Sequence, residues 1–332
     1  MRRGRLAALS LVAVVVAGSC AAGWLAVQLL HRGPERVVVV HVAPGASGVE
    51  VLERLRREEL VPSPLAARIW LAWHGEEGGF RWGDYRFPPG TRPVEVLERL
   101  VAGEVETVRV TVVEGWTAAE ISSAMIEAGV GTASGWAASV DRTEWVAELA
   151  AEADTLEGYL FPDTYRFALG VDAATAARHM VDRFVEVWEG LGVGDPWGTP
   201  HQIVTLASLV EAETSVPKER ARVAGVFVNR LERGMLLQCD PTVAYALERQ
   251  GLWTGRLLRL HWQIDDPYNT YRYPGLPPGP INSPGAAAVA AALAPEDHDY
   301  LYFVARPGGG HQFSHTLKEH AAAVARLDRS RR

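Results

Sequence analysis

Thr199-Pro-His-Gln-Ile-Val-Thr-Leu-Ala207-Ser-Leu-Val-Glu211-Ala-Glu213-Thr214 is the stretch on which the reading of this chain turns. Thr199 can cap a helix, Pro200 suits the first helical position, and Gln202 can complete a capping box. Ile203 to Val210 are apolar or small all round, and a helix without a polar face is a buried one. Its far end nevertheless carries two carboxylates, with Pro217 soon after. A carboxylate leaving a buried helix loses water, which should raise its pKa. A glutamate so tuned can give up a proton near neutral pH and take it back, as cleavage of a glycosidic bond requires. On these residues alone it is an equal reading that Glu211 and Glu213 mark where the helix reaches solvent. Two positions along a helix is about 200° of rotation, so the two cannot share a face or form a close acid/base pair.

The chain is 332 residues long, enough for a membrane anchor and two domains, and its net charge of −7 argues against a nucleic-acid binder. Arg2, Arg3 and Arg5 precede an uncharged run from Leu6 to Leu30, long enough to span a bilayer core of about 30 Å. A cleavable signal has an apolar region of only about 7–15 residues, so an uncleaved single-pass anchor is expected. Basic residues stay in the cytoplasm, which puts the bulk of the chain outside the cell membrane, although Arg32 and Arg36 weaken the asymmetry. Val16-Ala-Gly-Ser-Cys20 faintly resembles a lipoprotein cleavage site, but Ala17 stands where a larger aliphatic is usual and the apolar run continues past Cys20. The second cysteine is Cys239, and with Cys20 in the membrane no intrachain disulfide is expected.

Residues 1–35 thus read as cytoplasmic tip, transmembrane helix and linker. Val37–His41 reads as a strand, Val49–Leu60 and Leu65–His74 as helices, Gly83–Phe87 as a strand and Arg92–Ala102 as a helix. This is a small α/β module over residues 36–105. Residues 106–332 form a larger mixed α/β domain, making the expected fold class α+β. That domain opens with a strand over Glu106–Val113 and a helix capped at Thr117. Helices over Asp172–Leu191 and Lys218–Arg233 and one opened by Asp240-Pro241 follow. Gly255–Pro284 is long and rich in Pro and Gly, so it reads as a functional loop; Trp262, Tyr268, Tyr271 and Tyr273 argue against disorder. Tyr300–Ala305 reads as a late strand, and the Arg-rich tail after Leu327 as frayed.

Several ordered blocks then resemble one family, the endolytic murein transglycosylases with a YceG-like catalytic domain. They are Leu156-Glu-Gly-Tyr-Leu-Phe-Pro-Asp-Thr-Tyr165, Ala207–Thr214, Val226-Phe-Val-Asn-Arg-Leu231, Met235-Leu-Leu-Gln-Cys-Asp-Pro-Thr-Val243, Tyr268-Asn-Thr-Tyr271, Gly275-Leu-Pro-Pro-Gly-Pro-Ile281 and Leu301-Tyr-Phe-Val304 with the His311–His320 segment. Ordered blocks are far more specific than one short motif. The resemblance covers Val37 to about Val324, and the N-terminal module is similar to the family's LysM-like subdomain. It implies a lyase that cuts between N-acetylmuramic acid and N-acetylglucosamine without water and leaves a 1,6-anhydromuramyl end. One carboxylate would protonate the leaving oxygen and then help the muramyl 6-hydroxyl attack its own anomeric carbon. Tethering supplies much of that rate, whereas enzymes using water or a covalent intermediate normally need two placed carboxylates. The family's catalytic glutamate falls on Glu211. No metal or organic cofactor is implied. The implied partners are peptidoglycan glycan strands, the cell membrane and cell-wall synthesis proteins, with no nucleic acid.

The remaining candidates are weighed one by one. Gln238 suits a sugar hydroxyl or acetamido group, and Asp240 is a helix cap or a substrate contact. Tyr268, Asn269 and Tyr271 are expected as saccharide contacts in the long loop. Glu157 and Glu213 are secondary candidates, with a structural role favoured for Glu157. Cys239 departs from the Ser or Thr usual in the resembled family; a thiol is a weaker hydrogen-bond donor. His315 and His320 lie five apart, off a common helical face, so no zinc site is expected. Two other functions remain on the sequence: a non-catalytic peptidoglycan-binding scaffold, and a muramidase using Glu157 or Asp240 as second carboxylate.

Overall fold

The computed structural model describes residues 2–43, 45–75, 79–192 and 196–330, which fall into two compact units. The first comprises the chain up to Val108 with Arg166–Val171, the second Arg109–Tyr165 with Asp172 onward.

In the first unit α1 (Arg2–Leu30) contains a span, Val12–Leu30, long and apolar enough to cross a membrane, with mean hydropathy 1.9 and little of it buried. Then come β1 (Val38–Val42), α2 (Gly48–Arg57), α3 (Pro64–Trp73), β2 (Gly83–Phe87) and α4 (Pro93–Ala102). Ser47 and Glu50 form a capping box on α2, and Ser63 caps α3 before Pro64. β1 and β2 are antiparallel with Val40 opposite Tyr85. Val38, Val40 and Val42 point inward to meet Leu52, Leu55, Tyr85, Phe87, Leu97 and Leu100 in one core, onto which Leu29 of α1 also packs.

β3 (Thr107–Thr111) and β4 (Thr164–Ala168) pair, and the division between the units falls within them. The second unit holds α5 (Ala118–Glu127), α6 (Ala133–Val140), α7 (Ala173–Gly190), α8 (Pro200–Glu213), α9 (Arg220–Glu232), α10 (Asp240–Arg249) and α11 (Ala286–Leu293), then the antiparallel ribbon of β5 (Tyr302–Ala305) and β6 (His311–Ser314), and α12 (Leu317–Ser330). α8 is the central element. It packs against α9, α10 and α11, and every residue from Ile203 to Val210 is buried. Between α10 and α11 the chain makes only a short 3-10 turn at Arg259–Gln263. The tail expected to fray after Leu327 instead continues as helix to Ser330; residues 331 and 332 lie outside the described residues.

Candidate active site

α8 begins as its sequence dictates. Gln202 N–H donates to Thr199 Oγ1 at 3.3 Å, Thr199 N–H donates to Gln202 Oε1 at 2.9 Å, and Pro200 fills the first turn. The helix stops after Glu213 because Thr214 is extended and Pro217 follows. The loop before α11 runs alongside it. His201 Nε2 meets Pro278 O at 2.8 Å, Ile281 N–H donates to Ser208 Oγ at 3.1 Å, Asn282 Nδ2 donates to Ser208 O at 2.9 Å, and Gly285 N–H donates to Glu211 Oε2 at 3.0 Å. Buried polar groups of a helix with no solvent face are thereby satisfied by one strand of loop.

Glu211 sits at the end of this seam, its side chain only 8% exposed. Its second oxygen, Oε1, takes the Arg220 guanidinium at 3.3 Å. Arg220 is the first residue of α9, where the helix dipole disfavours a cation, and it is almost as buried as its partner. The same Nη2 lies 4.0 Å from Glu114 Oε2, a half-exposed carboxylate. Gly115 and Gly285 let these groups converge. A Cβ on Gly285 would collide with the Glu114 carboxylate, and one on Gly115 would sit 3.8 Å from Glu211 Cγ. The two segments are tied by Gly115 N–H to Ser283 O and by Ser283 N–H to Trp116 O, each 2.8 Å. Among the described residues four buried side-chain polar atoms lack a partner, and three of them, Arg220 Nε, Asn282 Oδ1 and Ser283 Oγ, belong to this seam. Unpaired buried polar atoms are costly, and three of the four fall on residues of the seam that also holds Glu211.

Glu213 looks elsewhere. Burial raises its pKa, the Cys239 thiol donating to it pulls the other way, and the nearby Asp240 charge raises it further. Cys239 is buried and burial keeps it a thiol. Its N–H donates to Thr270 Oγ1 at 3.0 Å. The preceding Gln238 is exposed and holds φ at 52°, a left-handed conformation that a non-glycine side chain adopts only where its surroundings enforce it. Asp240 Oδ1 accepts from Tyr271 O–H at 2.6 Å and Trp262 Nε1–H at 3.1 Å, and those two rings stack with centroids 5.0 Å apart. Gln238, Cys239, Asp240, Tyr271 and Glu213 therefore form one group.

Asn269 and Tyr268 do not join it. Asn269 is fully buried; its Nδ2 donates to Trp262 O and Ile264 O, and its Oδ1 accepts from Tyr271 N–H. The side chain expected to touch saccharide is thus a brace of its own loop. Tyr268 lines a cavity of about 260 Å³ near the start of α8, with Glu157, His201, Tyr245, Arg249 and Asp266. Ten residues of helix, about 15 Å, separate His201 from Glu211. Glu157 accepts from Ala118 N–H at 3.0 Å, at the N-terminus of α5, and from Tyr245 O–H at 3.2 Å; burial lifts its pKa to about 7. A larger cavity of about 610 Å³ lies within the first unit, lined mostly by aliphatic groups such as Leu52, Leu65 and Ile69, and offers little to acid/base chemistry. His311 Nδ1 pairs with the buried Glu219 at 2.9 Å, and His320 stacks on Tyr302. Among the described residues no three His, Cys, Asp or Glu side chains gather closely enough to hold a metal.

Glu114, Arg220, Asn282, Ser283 and Gly285 are absent from the sequence reading. The cation opening α9 against its dipole and the Glu114-Gly115 pair just past a strand were the available signals.

The model of the YceG-like family matches residues 40–326. The chain is 30% identical over 329 residues to the endolytic murein transglycosylase of Bacillus subtilis (strain 168), covering 93% of this chain and 90% of that protein. An endolytic murein transglycosylase of Streptococcus pneumoniae serotype 2 is 26% identical over 310 residues, 83% of this chain and 55% of that longer protein. The crystal structure of a yceG-like protein from Listeria monocytogenes superposes with a TM-score of 0.57 at 28% identity, covering 86% of this chain and 98% of that one.

Proposed function

The chain belongs to the YceG-like family, and from that premise we infer that it is a lytic transglycosylase acting on peptidoglycan. The observation that carries the reading is the Glu211 carboxylate, delivered by a buried helix and fixed on both oxygens by Arg220 and Gly285 N–H. A binding scaffold has no use for a carboxylate so held. Glu211 serves as the general acid that protonates the oxygen between N-acetylmuramic acid and N-acetylglucosamine. The same carboxylate, now a base, takes the proton of the muramyl 6-hydroxyl as that oxygen, already tethered, bonds to the anomeric carbon and leaves a 1,6-anhydromuramyl end. Such cuts within nascent strands would end or trim them during wall assembly, alongside the proteins that synthesise them.

The rest of the molecule takes supporting parts. Gln238, Asp240 and Tyr271, with the stacked Trp262, line the saccharide path near the end of α8, and Asn269 holds that wall in shape. Tyr268 lies on a more distant stretch. α1 anchors the chain in the cell membrane with its N-terminus in the cytoplasm and the catalytic domain outside. The β1-α2-α3-β2 order, with its antiparallel pair, supports a LysM-like module.

Mass analysis of glycan strands digested by the full chain tests the reading. The expected new ends are one water lighter than hydrolysed ends. Ends that retain the water indicate a muramidase, and uncut strands a scaffold.

A further inference from the structure

Helix α3 carries apolar side chains on both faces. Ala66, Ala67, Trp70 and Leu71 are buried, while Leu65, Ile69 and Trp73 point outward, 60%, 43% and 85% exposed. Spaced four residues apart, the outer three form one stripe along the helix. α2 shows the ordinary alternative in the same unit: Val51, Leu52 and Leu55 are buried, and Glu50, Arg54, Arg56 and Arg57 are exposed. The α3 stripe also borders the cavity of about 610 Å³, to which Leu65 and Ile69 contribute along with Leu52, Leu71 and Phe80. Among the described residues that line it, Arg68 alone has a polar side chain. A saccharide site needs several placed hydrogen-bonding groups, so this surface suits hydrocarbon rather than glycan.

The position of α3 in its unit says which hydrocarbon. About 20 apolar residues of helix cross a bilayer core. Counted from Leu6, where the uncharged run begins, or from Val12, where the apolar span begins, the far side of that core falls between Leu25 and the end of α1. Leu29 is buried in the core of this same unit, Leu25 packs against that core, and α1 touches both α3 and α4. With α1 across a bilayer, the module therefore sits at the level of the lipid headgroups, with no spacer beneath it. Trp24 on α1 is 43% exposed near that level, where tryptophan is favoured. We propose that the outer face of α3 docks on the bilayer through which α1 passes. Leu65, Ile69 and Trp73 enter the leaflet on that side, the cavity takes acyl-chain carbon, and Arg68 extends its guanidinium to a lipid phosphate. This rests on the reading of α1 as a membrane anchor. The module is then held to the membrane at two places, and it does not turn freely about the end of α1.

Bromine on lipid acyl chains quenches tryptophan that touches them, which tests the proposal on the full-length chain held singly in nanodiscs. The discs contain phosphatidylcholine and phosphatidylglycerol, with or without bromine high on the acyl chains. Subtracting the emission of Trp73→Phe from that of wild type isolates Trp73, and subtracting that of Trp24→Phe isolates Trp24. Both are expected to emit at short wavelength and to lose most of their emission in the brominated discs. Because Trp73 is exposed, Trp73→Phe is expected to melt like wild type. A second reading comes from thiol labelling in the unbrominated discs. Ile69→Cys is expected to react with a membrane-impermeant maleimide far more slowly than Arg56→Cys on α2. Quenched Trp24 with unquenched Trp73, or Ile69→Cys labelling as fast as Arg56→Cys, overturns the docking and leaves the anchor in place. Short-wavelength Trp73 emission that bromine does not touch means that protein covers the stripe, and overturns it too. Unquenched Trp24 overturns the anchor reading and the proposal with it.

Discussion

Glu211 and Glu213 stand two residues apart at the end of α8 and face different chemistry: Glu211 meets Arg220 and the Gly285 N–H, whereas the half-buried Glu213 accepts from the Cys239 thiol near Asp240. The divergence follows from about 200° of helical rotation, and it is expected to separate the two in function. Glu211→Gln keeps the shape, loses the transferable proton and is expected to lower turnover by several orders of magnitude with folding and strand binding intact. Retention of a tenth of wild-type activity would rule out Glu211 as the acid. Glu213→Gln, assayed in parallel, should leave turnover far closer to wild type, because its carboxyl has no place on the Arg220 seam.

What was legible in the sequence followed from local rules. α8 announces itself by its capping box and its all-round apolar face, and the β1-α2-α3-β2 order follows from alternating valines and paired caps. α11 went unread because Ala286–Leu293 has no polar face to give a period, and β4 because Thr164–Ala168 follows directly on a Gly- and Pro-containing turn. Glu211 stood out as a candidate because it ends an unusual helix. Its neighbours did not: Arg220, Glu114 and Gly285 approach from nine, 97 and 74 positions away in sequence, and periodicity carries no information about such meetings. The loop contacts of Asn269 were not legible for a related reason. A polar residue in an aromatic loop looks available until its three bonds to that same loop are seen.

Those bonds make a prediction. Asn269→Ala strands the Trp262 and Ile264 carbonyls and the Tyr271 N–H in a fully buried place. Each buried orphan costs about 1–3 kcal/mol. Melting temperature and activity are expected to fall together, measured by thermal denaturation and strand cleavage on one preparation. A variant that melts like wild type yet has lost cleavage would return Asn269 to the saccharide path.

The anchor can be checked on intact cells. Arg2, Arg3 and Arg5 ahead of the apolar Val12–Leu30 span are expected to hold the N-terminus in the cytoplasm and expose the catalytic unit on the far side. Protease added to spheroplasts should then degrade the large domain while α1 stays with the membrane fraction. Protection of the domain while a control protein outside the membrane is digested contradicts this orientation.

Glu157 sets a pH dependence whose sign is fixed by its surroundings. Burial dominates and lifts its pKa from 4.5 to about 7, against the hydrogen bonds from Ala118 N–H and Tyr245 O–H, with Glu120 adding a small push upward. Between those two values the folded chain holds a proton that the unfolded chain has released. The stabilising contribution is therefore complete below about pH 4.5, declines as pH rises, and is lost once pH passes about 7. The whole swing is at most about 3 kcal/mol, at roughly 1.4 kcal/mol per pKa unit. Glu157→Gln removes the titration while its amide oxygen can still accept the Ala118 N–H. The melting temperature of Glu157→Gln minus that of wild type is expected to climb between pH 5 and pH 8, because only wild type must bury a charge at the upper end. Measured on the full chain in detergent at several pH values, parallel melting curves for the two proteins would mean that Glu157 is already ionised at pH 5 and that the Tyr245 and Ala118 contacts outweigh its burial.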